Sequence, residues 1–447
     1  MGHCGRRSRK KRKKRTTDSQ TLCHESQFVD LRRWLRDRGF RSKLLTPAHF
    51  RDTGRGLMAT SPIKANDMLI SLPEQCLLTT STVLRSYLGE HIKRWKPPVS
   101  PLLALCTFLI AERHAGSLSE WKPYIDVLPQ TYTCPAYFTD KVMGLLPAGL
   151  KAKGLDQRER VRELHSSAAA FFASLQPLLR EPVGAVFSHN ALQWAWCSVN
   201  TRTVYMTHPQ SPHLSMEKNN YALAPYLDLL NHSPQVQVTA GFNRDSRCYE
   251  IRSCEGCRRF QQAFICYGPH DNQRLLLDYG FVASGNPHSV VYVDLGTLKL
   301  CLDEKDKQLK QKLLFLKEHD FLKNLTFGLD GPSWRLMTAL RFLSLKPENY
   351  ASWKSVLLGA AVSKDREASA IQAALQLCQV LLEESSLALK RLSQLKEGAD
   401  SSVTEQLSMV EFLRREEQDI LGHSRELLRS QWQQLSCQPS PEQSQAD

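Results

Sequence analysis

Two groups of short β-like runs lie on either side of a long helical stretch, and this order limits the folds open to the chain. The first group contains LMAT, MLISLP and CLLTT, within residues 54–80 and separated by Pro and Asn. Residues 82–198 have a helical texture. Strand-like runs then return at 236–242, 249–253, 264–268 and 290–295. Both groups belong to one sheet domain only if the chain returns to it after about 110 residues, so we predict an α+β fold with a β-rich core divided by a helical insert.

The last third of the chain carries two long helical patterns. The first covers residues 367–395 without Gly or Pro, and the second covers 403–435. The first stripe of apolar and Cys residues is Ile371, Leu375, Cys378, Leu382, Leu389 and Leu392. Long amphipathic helices joined by a short connection are typical of antiparallel bundles, so we predict an all-α C-terminal domain.

The positive charge is concentrated near the N-terminus. The net charge is +14, and residues 6–15, RRSRKKRKKR, hold nine Lys or Arg in ten positions. A block of like charges cannot pack into a core and is typical of a disordered arm. Such an arm serves as a nuclear localisation signal, makes a non-specific nucleic-acid contact, or is simply a solvated tail. We favour nuclear access and predict a protein of the nucleus and cytoplasm.

Neither a membrane nor a metal is expected as a partner. The longest uncharged apolar run, LLALCTFLIA at 102–111, has ten residues, whereas a membrane span needs about 20. The basic N-terminus has no apolar segment after it, unlike a signal peptide. The thirteen cysteines include one close pair, Cys254 and Cys257, and a lone C-x-x-C is weak evidence for zinc. We expect a solvated turn there.

Three clusters contain residue types that a ligand site needs. In DTGRGLMAT (52–60), two glycines let the backbone approach a ligand, although a plain β-turn is the simpler interpretation of this motif alone. In DLLNHSP (228–234), Asn231 and His232 are costly to bury without partners, so they belong to a turn or to a cofactor pocket. In FICYGPHDNQRLLLDYGF (264–281), Tyr267 and Tyr279 stand beside glycines.

Other catalytic signatures are missing from the sequence. It contains no G-x-S-x-G elbow, H-E-x-x-H pair, P-loop or kinase motif. Cys266 lies in an apolar run that gives its thiol no reason for a lowered pKa, so we interpret it as a packing residue. Hydrolysis by a Ser or Cys nucleophile and phosphoryl transfer are therefore disfavoured.

In this order, the clusters resemble a split SET domain of the Rubisco large-subunit methyltransferase branch. The motifs that carry the resemblance are TGRGL, NTR, DLLNHS and ICYGPHDNQRLLLDYGF, with the helical insert after the first of them. The resemblance runs from about residue 28 to 435, and its helical end is similar to that branch's substrate-binding domain. It implies a split SET domain (26–285, insert about 82–190) and a helical substrate-binding domain (286–435). The composition of the two ends predicts a disordered arm (1–25) before them and a disordered tail (436–447) after them.

The resemblance also implies roles for individual residues. The backbone of the glycine turn would lie along S-adenosylmethionine, while Arg202 would approach its carboxylate. Asn231 and His232 would hold its amine and adenine edge. A threaded segment, 264–282, would lie against 228–232. The implied cofactor-binding residues are Thr53, Gly54, Arg55, Gly56, Arg202, Asp228, Asn231, His232, Tyr267, Tyr279 and Phe281, and Tyr267 is also the implied catalytic residue.

The activity implied by the resemblance is protein-lysine N-methylation with S-adenosylmethionine as methyl donor. The substrate would be a lysine-bearing protein segment, with core-histone tails and non-histone proteins both open. The lysine amine must be neutral to accept the methyl group, although its reference pKa is about 10.4. A narrow aromatic channel would favour the neutral amine by desolvation. Two alternatives stay open: a histidine acceptor, as in one relative, and a non-catalytic SET-like module that binds chromatin. Zinc is not implied, because no cysteine triplet follows residue 282.

Overall fold

The computed structural model describes residues 19–302 and 305–437, which fall into two compact units. The first unit comprises residues up to 128 together with 202–266. The second comprises residues 129–201 and those from 267 onward. The basic block at 6–15 and the last ten residues of the predicted tail lie outside the described residues.

The first unit is rich in short strands. Its strands are β1 (Ser19–Thr21), β2 (Leu45–Phe50), β3 (Gly54–Ala59), β4 (Met68–Pro73), β5 (Thr203–Tyr205), β6 (Tyr221–Leu223), β7 (Asn231–His232), β8 (Val238–Asn243), β9 (Cys248–Ser253) and β10 (Gln262–Ile265). Its helices are α1 (Ser26–Asp37), α2 (Thr80–Arg85), α3 (Gly89–Arg94), α4 (Pro101–Ala115) and α5 (Lys122–Ile125). Short 3-10 turns occupy Glu74–Cys76, Gly116–Leu118 and Leu227–Leu229.

The strands of the first unit form small sheets that join distant parts of the chain. A five-stranded sheet has the order β1-β2-β3-β10-β7, a three-stranded sheet has the order β4-β9-β8, and β5 pairs with β6. Strand β10 runs antiparallel to β3 and parallel to β7, so Phe264 lies opposite Asn231 and Ile265 opposite His232. The chain therefore returns after the helical insert to complete the sheet, which confirms the predicted α+β class with a divided β-rich core.

Three segments differ from the sequence expectations. Residues 19–25, assigned to the disordered arm, form strand β1 and a turn, because β1 pairs with the edge of β2. The run CLLTT is not a strand: Thr79 caps α2, with its hydroxyl accepting a hydrogen bond from the Thr82 amide at 3.4 Å. Only two residues of the run VVYVDL, at 290–295, are in a strand, because Asp294 caps the helix that follows.

The apolar run at 102–111 is a buried helix of the first unit. It lies within α4, where Ser100 caps the first turn by accepting a hydrogen bond from the Leu103 amide at 3.1 Å and Pro101 occupies the first helical position. Residues on all sides of α4 are buried, which explains the absence of a polar stripe. Among the helices that the structure describes, none has the combined length and apolar character needed to cross a bilayer.

The second unit is mainly helical. Its helices are α6 (Asp140–Met143), α7 (Ala148–Ser167), α8 (Ala169–Ser174), α9 (Val183–Val186), α10 (His189–Arg202), α11 (Asn272–Tyr279), α12 (Leu295–Leu300), α13 (Leu309–Glu318), α14 (Trp334–Leu343), α15 (Trp353–Leu357), α16 (Lys364–Lys396) and α17 (Ser401–Cys437). A small sheet is formed by β11 (Val291–Tyr292), β12 (Thr326–Gly328) and β13 (Gly331–Pro332). Further 3-10 turns occupy Pro135–Tyr137, Gln176–Leu178 and Pro347–Ser352.

The two longest helices form the antiparallel pair that the sequence predicts. The Ser385 hydroxyl donates a hydrogen bond to the Arg414 carbonyl at 2.8 Å, and nearer the turn Lys396 pairs with Glu411. Seven of the nine buried positions of α16 are spaced alternately by three and four residues: 371, 374, 378, 381, 385, 388 and 392. The other two, 370 and 377, lie beside this row. This spacing is that of a coiled-coil seam. Ser385 belongs to this seam although it is polar, so a pattern of apolar residues alone does not identify it.

Candidate active site

The glycine turn at the start of β3 is a closely packed part of the first unit. Gly54 has a φ of +68°, a left-handed conformation that favours glycine. A Cβ on Gly56 would lie 2.8 Å from Gln262 Oε1 and 2.9 Å from Asn231 Nδ2. Thr53 and Gln262 also share a hydrogen bond between their side chains. A side chain at position 56 would therefore displace the ends of the Gln262 and Asn231 side chains, and the buried glycine lets both of them pack against the turn.

Asn231 is held against this turn by its amide group. Nδ2 donates to the carbonyl of Arg55 at 3.0 Å and to Gln262 Oε1 at 2.9 Å. Asn231 and His232 form the short strand β7 rather than a plain turn, and the His232 side chain is only 7% exposed. The costly polar pair of DLLNHSP is thus built into the sheet, where Asn231 ties the glycine turn to β10.

Asp228 is a carboxylate in an unusual environment. Oδ2 accepts a hydrogen bond from the Tyr124 hydroxyl at 3.0 Å, and the backbone carbonyl of Asp228 accepts one from Arg202 Nη1 at 2.9 Å. Oδ1 is buried and has no hydrogen-bond partner among the residues that the structure describes. Burial raises the pKa of Asp228 to about 6, against the opposing influence of the Arg202 guanidinium. A buried oxygen of this kind fits a ligand that brings a donor or a positive charge.

Replacing Asp228 with asparagine should remove a pH dependence of stability. Below pH 3.8 the carboxyl is protonated in both the folded and the unfolded state, and above about 6 it is ionised in both. Between these values only the folded state retains the proton, so its contribution to the free energy of unfolding falls as the pH rises, by about 3 kcal/mol in total. Between pH 4 and 6.5, urea unfolding should show Asp228→Asn gaining on wild type by about 2 kcal/mol of this total. A constant difference between the two proteins would contradict the assignment.

Two arginines of the first unit are oriented by backbone carbonyls. Arg55 Nη1 donates to the Val127 carbonyl at 2.7 Å, while Arg202 contacts the Asp228 carbonyl as described. Both side chains are partly buried. A backbone carbonyl therefore helps to orient each guanidinium.

In the second unit, three predicted aromatic residues form a cluster. The ring centroids of Tyr267 and Tyr279 are 4.9 Å apart, and those of Tyr267 and Phe281 are 6.1 Å apart. The centroids of Tyr279 and Phe281 are 6.3 Å apart. His270 stacks on Tyr279 at 6.1 Å. Burial and the nearby Asp278 raise the pKa of Tyr279, and burial and Arg274 lower that of His270. The cluster is therefore aromatic, and its rings are partly buried.

A tight helix end positions the cluster. Asp271 caps α11 by accepting a hydrogen bond from the Arg274 amide, and Gly280 ends this helix with a φ of +78°. A Cβ on Gly280 would lie 2.9 Å from the Cys134 amide nitrogen, so the Tyr-Gly-Phe sequence is closely packed. The same glycine carbonyl accepts a hydrogen bond from Thr133. Gly280 therefore lies between Tyr279 and Phe281 and ends the helix between them.

The structure thus gathers the predicted residues into two sets. Eight of them belong to the first unit: Thr53, Gly54, Arg55, Gly56, Arg202, Asp228, Asn231 and His232. Tyr267, Tyr279 and Phe281 belong to the second unit. Three residues that contact these sets have no role predicted from the sequence: Gln262, Tyr124 and His270. Gln262 and Tyr124 have no local motif, whereas His270 stands three residues after Tyr267 in a segment already singled out.

The C-x-x-C pair gives no reason to expect a metal. Cys254 is exposed and Cys257 is partly exposed, with its thiol near backbone carbonyls. Within residues 19–302 and 305–437, the His, Cys, Asp and Glu side chains form no group of three suited to a metal ion.

Comparison with known proteins places this geometry in a family. The SET domain profile matches residues 54–268, and a profile described as Rubisco LSMT substrate-binding matches residues 303–421. Mouse SET domain-containing protein 4 is 53% identical over 421 residues, which cover 94% of this chain and 96% of the mouse protein. The chain belongs to the family of SET domain-containing protein 4. The human member is 50% identical, over 95% of this chain and 98% of its own length.

More distant relatives agree with the SET fold. A solved structure described as the SET domain of LSMT bound to lysine and AdoHcy aligns with a TM-score of 0.64 and 20% identity, over 92% of this chain and 93% of that one. Human actin-histidine N-methyltransferase is 29% identical over 280 residues, 62% of this chain and 46% of the relative. Family membership therefore rests on the closer relatives, and the solved structure supports the fold, including the helical C-terminal region.

Proposed function

We propose that this SET-family chain is a protein-lysine N-methyltransferase. Methyl transfer from S-adenosylmethionine to a protein is the activity that goes with the SET fold and this family. Lysine as the acceptor is the finer part of the proposal. The observation that carries it is the cluster of Tyr267, Tyr279 and Phe281, because partly buried aromatic rings disfavour a charged ammonium and suit a neutral alkylamine.

The residues of the first unit fit S-adenosylmethionine. Gly56 packs against the ends of the Gln262 and Asn231 side chains, which fixes the position of the turn proposed to lie along the cofactor. The buried Oδ1 of Asp228 can accept a hydrogen bond and favours the positive charge that the cofactor carries. In this proposal the turn at 53–56 supports the cofactor, Arg202 meets its carboxylate, and Asn231 with His232 contact its amine and adenine edge.

The cofactor supplies a methyl group on a positively charged sulfur, and the chain supplies alignment. Methyl transfer is an in-line displacement, so the protein must hold the attacking nitrogen in a near-attack geometry. Desolvation among Tyr267, Tyr279 and Phe281 disfavours the lysine ammonium, so the amine enters as the neutral nucleophile. The hydroxyl of Tyr267 orients that amine. No strong base is required in the protein, because the proton leaves before the transfer.

A histidine acceptor is the second candidate. It is favoured by the similarity to the actin-histidine N-methyltransferases, such as the human enzyme at 29% identity over 280 residues. Lysine is preferred because the LSMT structure with bound lysine aligns over nearly the whole chain, whereas the actin-histidine enzymes cover 62% of it. The two candidates share the cofactor and the fold, and they differ only in the labelled residue.

A non-catalytic chromatin-binding module is excluded if the cofactor binds and turns over. A ligand at 100 times its Kd adds about 2.7 kcal/mol to the free energy of unfolding. We expect this shift for wild type with S-adenosylmethionine, and none for Asn231→Ala, His232→Ala. Equal shifts in the two proteins would show that Asn231 and His232 do not bind the cofactor.

We further propose core-histone tails among the substrates, and a location in both nucleus and cytoplasm. The support is the block of nine basic residues at 6–15, which suits nuclear import or a non-specific nucleic-acid contact. Deleting residues 1–16 should shift a fluorescent fusion from the nucleus to the cytoplasm. Labelled methyl transfer to purified core histones should persist, because the SET residues remain. An unchanged distribution would contradict the import role.

A further inference from the structure

The first unit has a groove of about 430 Å³ beside α1 that the methyltransferase proposal does not use. We name it the arginine groove. Its lining includes Arg32, Arg33, Arg36, Arg41 and Tyr226. Phe28 and Leu31 of α1 are buried in the unit and Leu35 lines the groove, while the arginines of this helix are exposed.

The arginines of the groove are not neutralised locally. Arg32 and Arg41 are exposed and have no acidic partner within 4.0 Å among the described residues. Arg33 and Arg36 face Asp30 and Asp37 at 3.5 Å, but these pairs are exposed and therefore weak. None of the residues lining the groove is acidic. The result is a concave surface with four permanent positive charges.

The floor of the groove adds no negative charge. The Tyr226 hydroxyl donates a hydrogen bond to the Leu45 carbonyl at 2.8 Å, and burial raises the pKa of Tyr226 to about 12. The phenol therefore stays neutral at physiological pH. Its T-shaped contact with Phe40, at 5.3 Å between centroids, makes the floor rigid and partly aromatic.

The nature of the occupant follows from the charge and chemistry of the groove itself. Four arginines line it and no acidic residue does. Guanidinium groups bind phosphate oxygens in a bidentate geometry. A nucleic acid carries a phosphate on every nucleotide, so one strand can contact several of these arginines at once, whereas an acidic protein segment presents carboxylates at irregular intervals.

We propose that the arginine groove binds the sugar–phosphate backbone of a nucleic acid. This site is separate from the residues assigned to methyl transfer, and it stands whether or not the acceptor is lysine. DNA and RNA share the phosphate chemistry. The contacts are to the backbone, so the binding is independent of base sequence and strongly dependent on salt.

The test uses the full chain with Arg32→Ala, Arg36→Ala and Arg41→Ala combined. Fluorescence anisotropy with a labelled duplex DNA of about 30 base pairs, and with an RNA duplex of equal length, gives Kd between 50 and 200 mM salt. Each lost phosphate contact lowers the slope of log K against log salt by about 0.9, so the triple variant should lose about 2 to 3 units of slope. The matched control removes the exposed Arg244, Arg258 and Arg259 in the same unit.

The possible outcomes distinguish binding at the groove from non-specific attraction to surface arginines. They also distinguish it from the proposed methyltransferase activity. A slope loss for the groove variant alone supports the site, and the stronger probe identifies DNA or RNA as the ligand. Equal losses in both variants, or no loss in either, overturn it. A groove variant that weakens only the binding of a polyglutamate peptide also overturns it in favour of an acidic protein. Stabilisation by S-adenosylmethionine should be the same in all three proteins, which confirms that each is folded.

Discussion

Replacing Gly56 with alanine is expected to weaken S-adenosylmethionine binding ten- to a hundred-fold, about 1.4 to 2.8 kcal/mol. The new Cβ would lie within 3.0 Å of both Gln262 Oε1 and Asn231 Nδ2. These two side chains must therefore move, and the 3.0 Å hydrogen bond from Asn231 to the Arg55 carbonyl is strained or lost. Isothermal titration calorimetry measures the change directly.

A matched control separates this local clash from a general effect of adding a methyl group. Gly241 lies in strand β8 of the same unit, and a Cβ there meets nothing within 4 Å. Gly241→Ala should bind S-adenosylmethionine as wild type does. If Gly56→Ala also retains full affinity while remaining folded, the glycine turn is not the cofactor's support and the assignment of residues 53–56 fails.

Replacing Tyr267 with phenylalanine is expected to lower kcat by a factor of 100 to 1000 with little change in cofactor affinity. The change removes only the hydroxyl and keeps the ring that packs on Tyr279 at 4.9 Å and on Phe281 at 6.1 Å. Loss of a single oriented hydrogen-bonding group at a reacting centre typically costs this much. Initial rates with labelled S-adenosylmethionine, together with calorimetric binding, distinguish the two effects.

The corresponding control removes a tyrosine hydroxyl outside the cluster. Tyr249 is buried in strand β9, and its hydroxyl lies 3.4 Å from the Tyr205 carbonyl. Tyr249→Phe should leave kcat within about a factor of two of wild type. A Tyr267→Phe enzyme with wild-type kcat would show that the aromatic cluster acts by shape alone, and Tyr267 would lose its catalytic role.

The sequence predicts elements well where one local pattern determines them. The motif MLISLP forms β4 over those same residues, and the two long stripes form α16 and α17 with ends within three residues of the prediction. Family membership was also readable, because the motifs occur in a fixed order along the chain and the relatives confirm it. These features depend on residues near one another in sequence.

The sequence fails where a contact joins distant residues. Gln262 lies 31 positions after Asn231 and 209 after Thr53, yet it bonds to both side chains. Tyr124, 104 positions before Asp228, donates to its carboxylate. Gln262 directly follows another glutamine, and no pattern in the sequence distinguishes it from residues that face solvent. The strand at 19–21 was missed for a similar reason, because its pairing partner is β2 rather than a neighbour within its own run.

The most direct test of the central claim is to locate the transferred methyl group. Wild type and Tyr267→Phe would be incubated with labelled S-adenosylmethionine and with nuclear and cytosolic extracts, and modified peptides sequenced by mass spectrometry. We expect label on lysine side chains with wild type and at least 100-fold less label with the variant. Label on histidine would contradict the proposed acceptor while retaining the fold and cofactor, and equal labelling by both proteins would contradict the role of Tyr267.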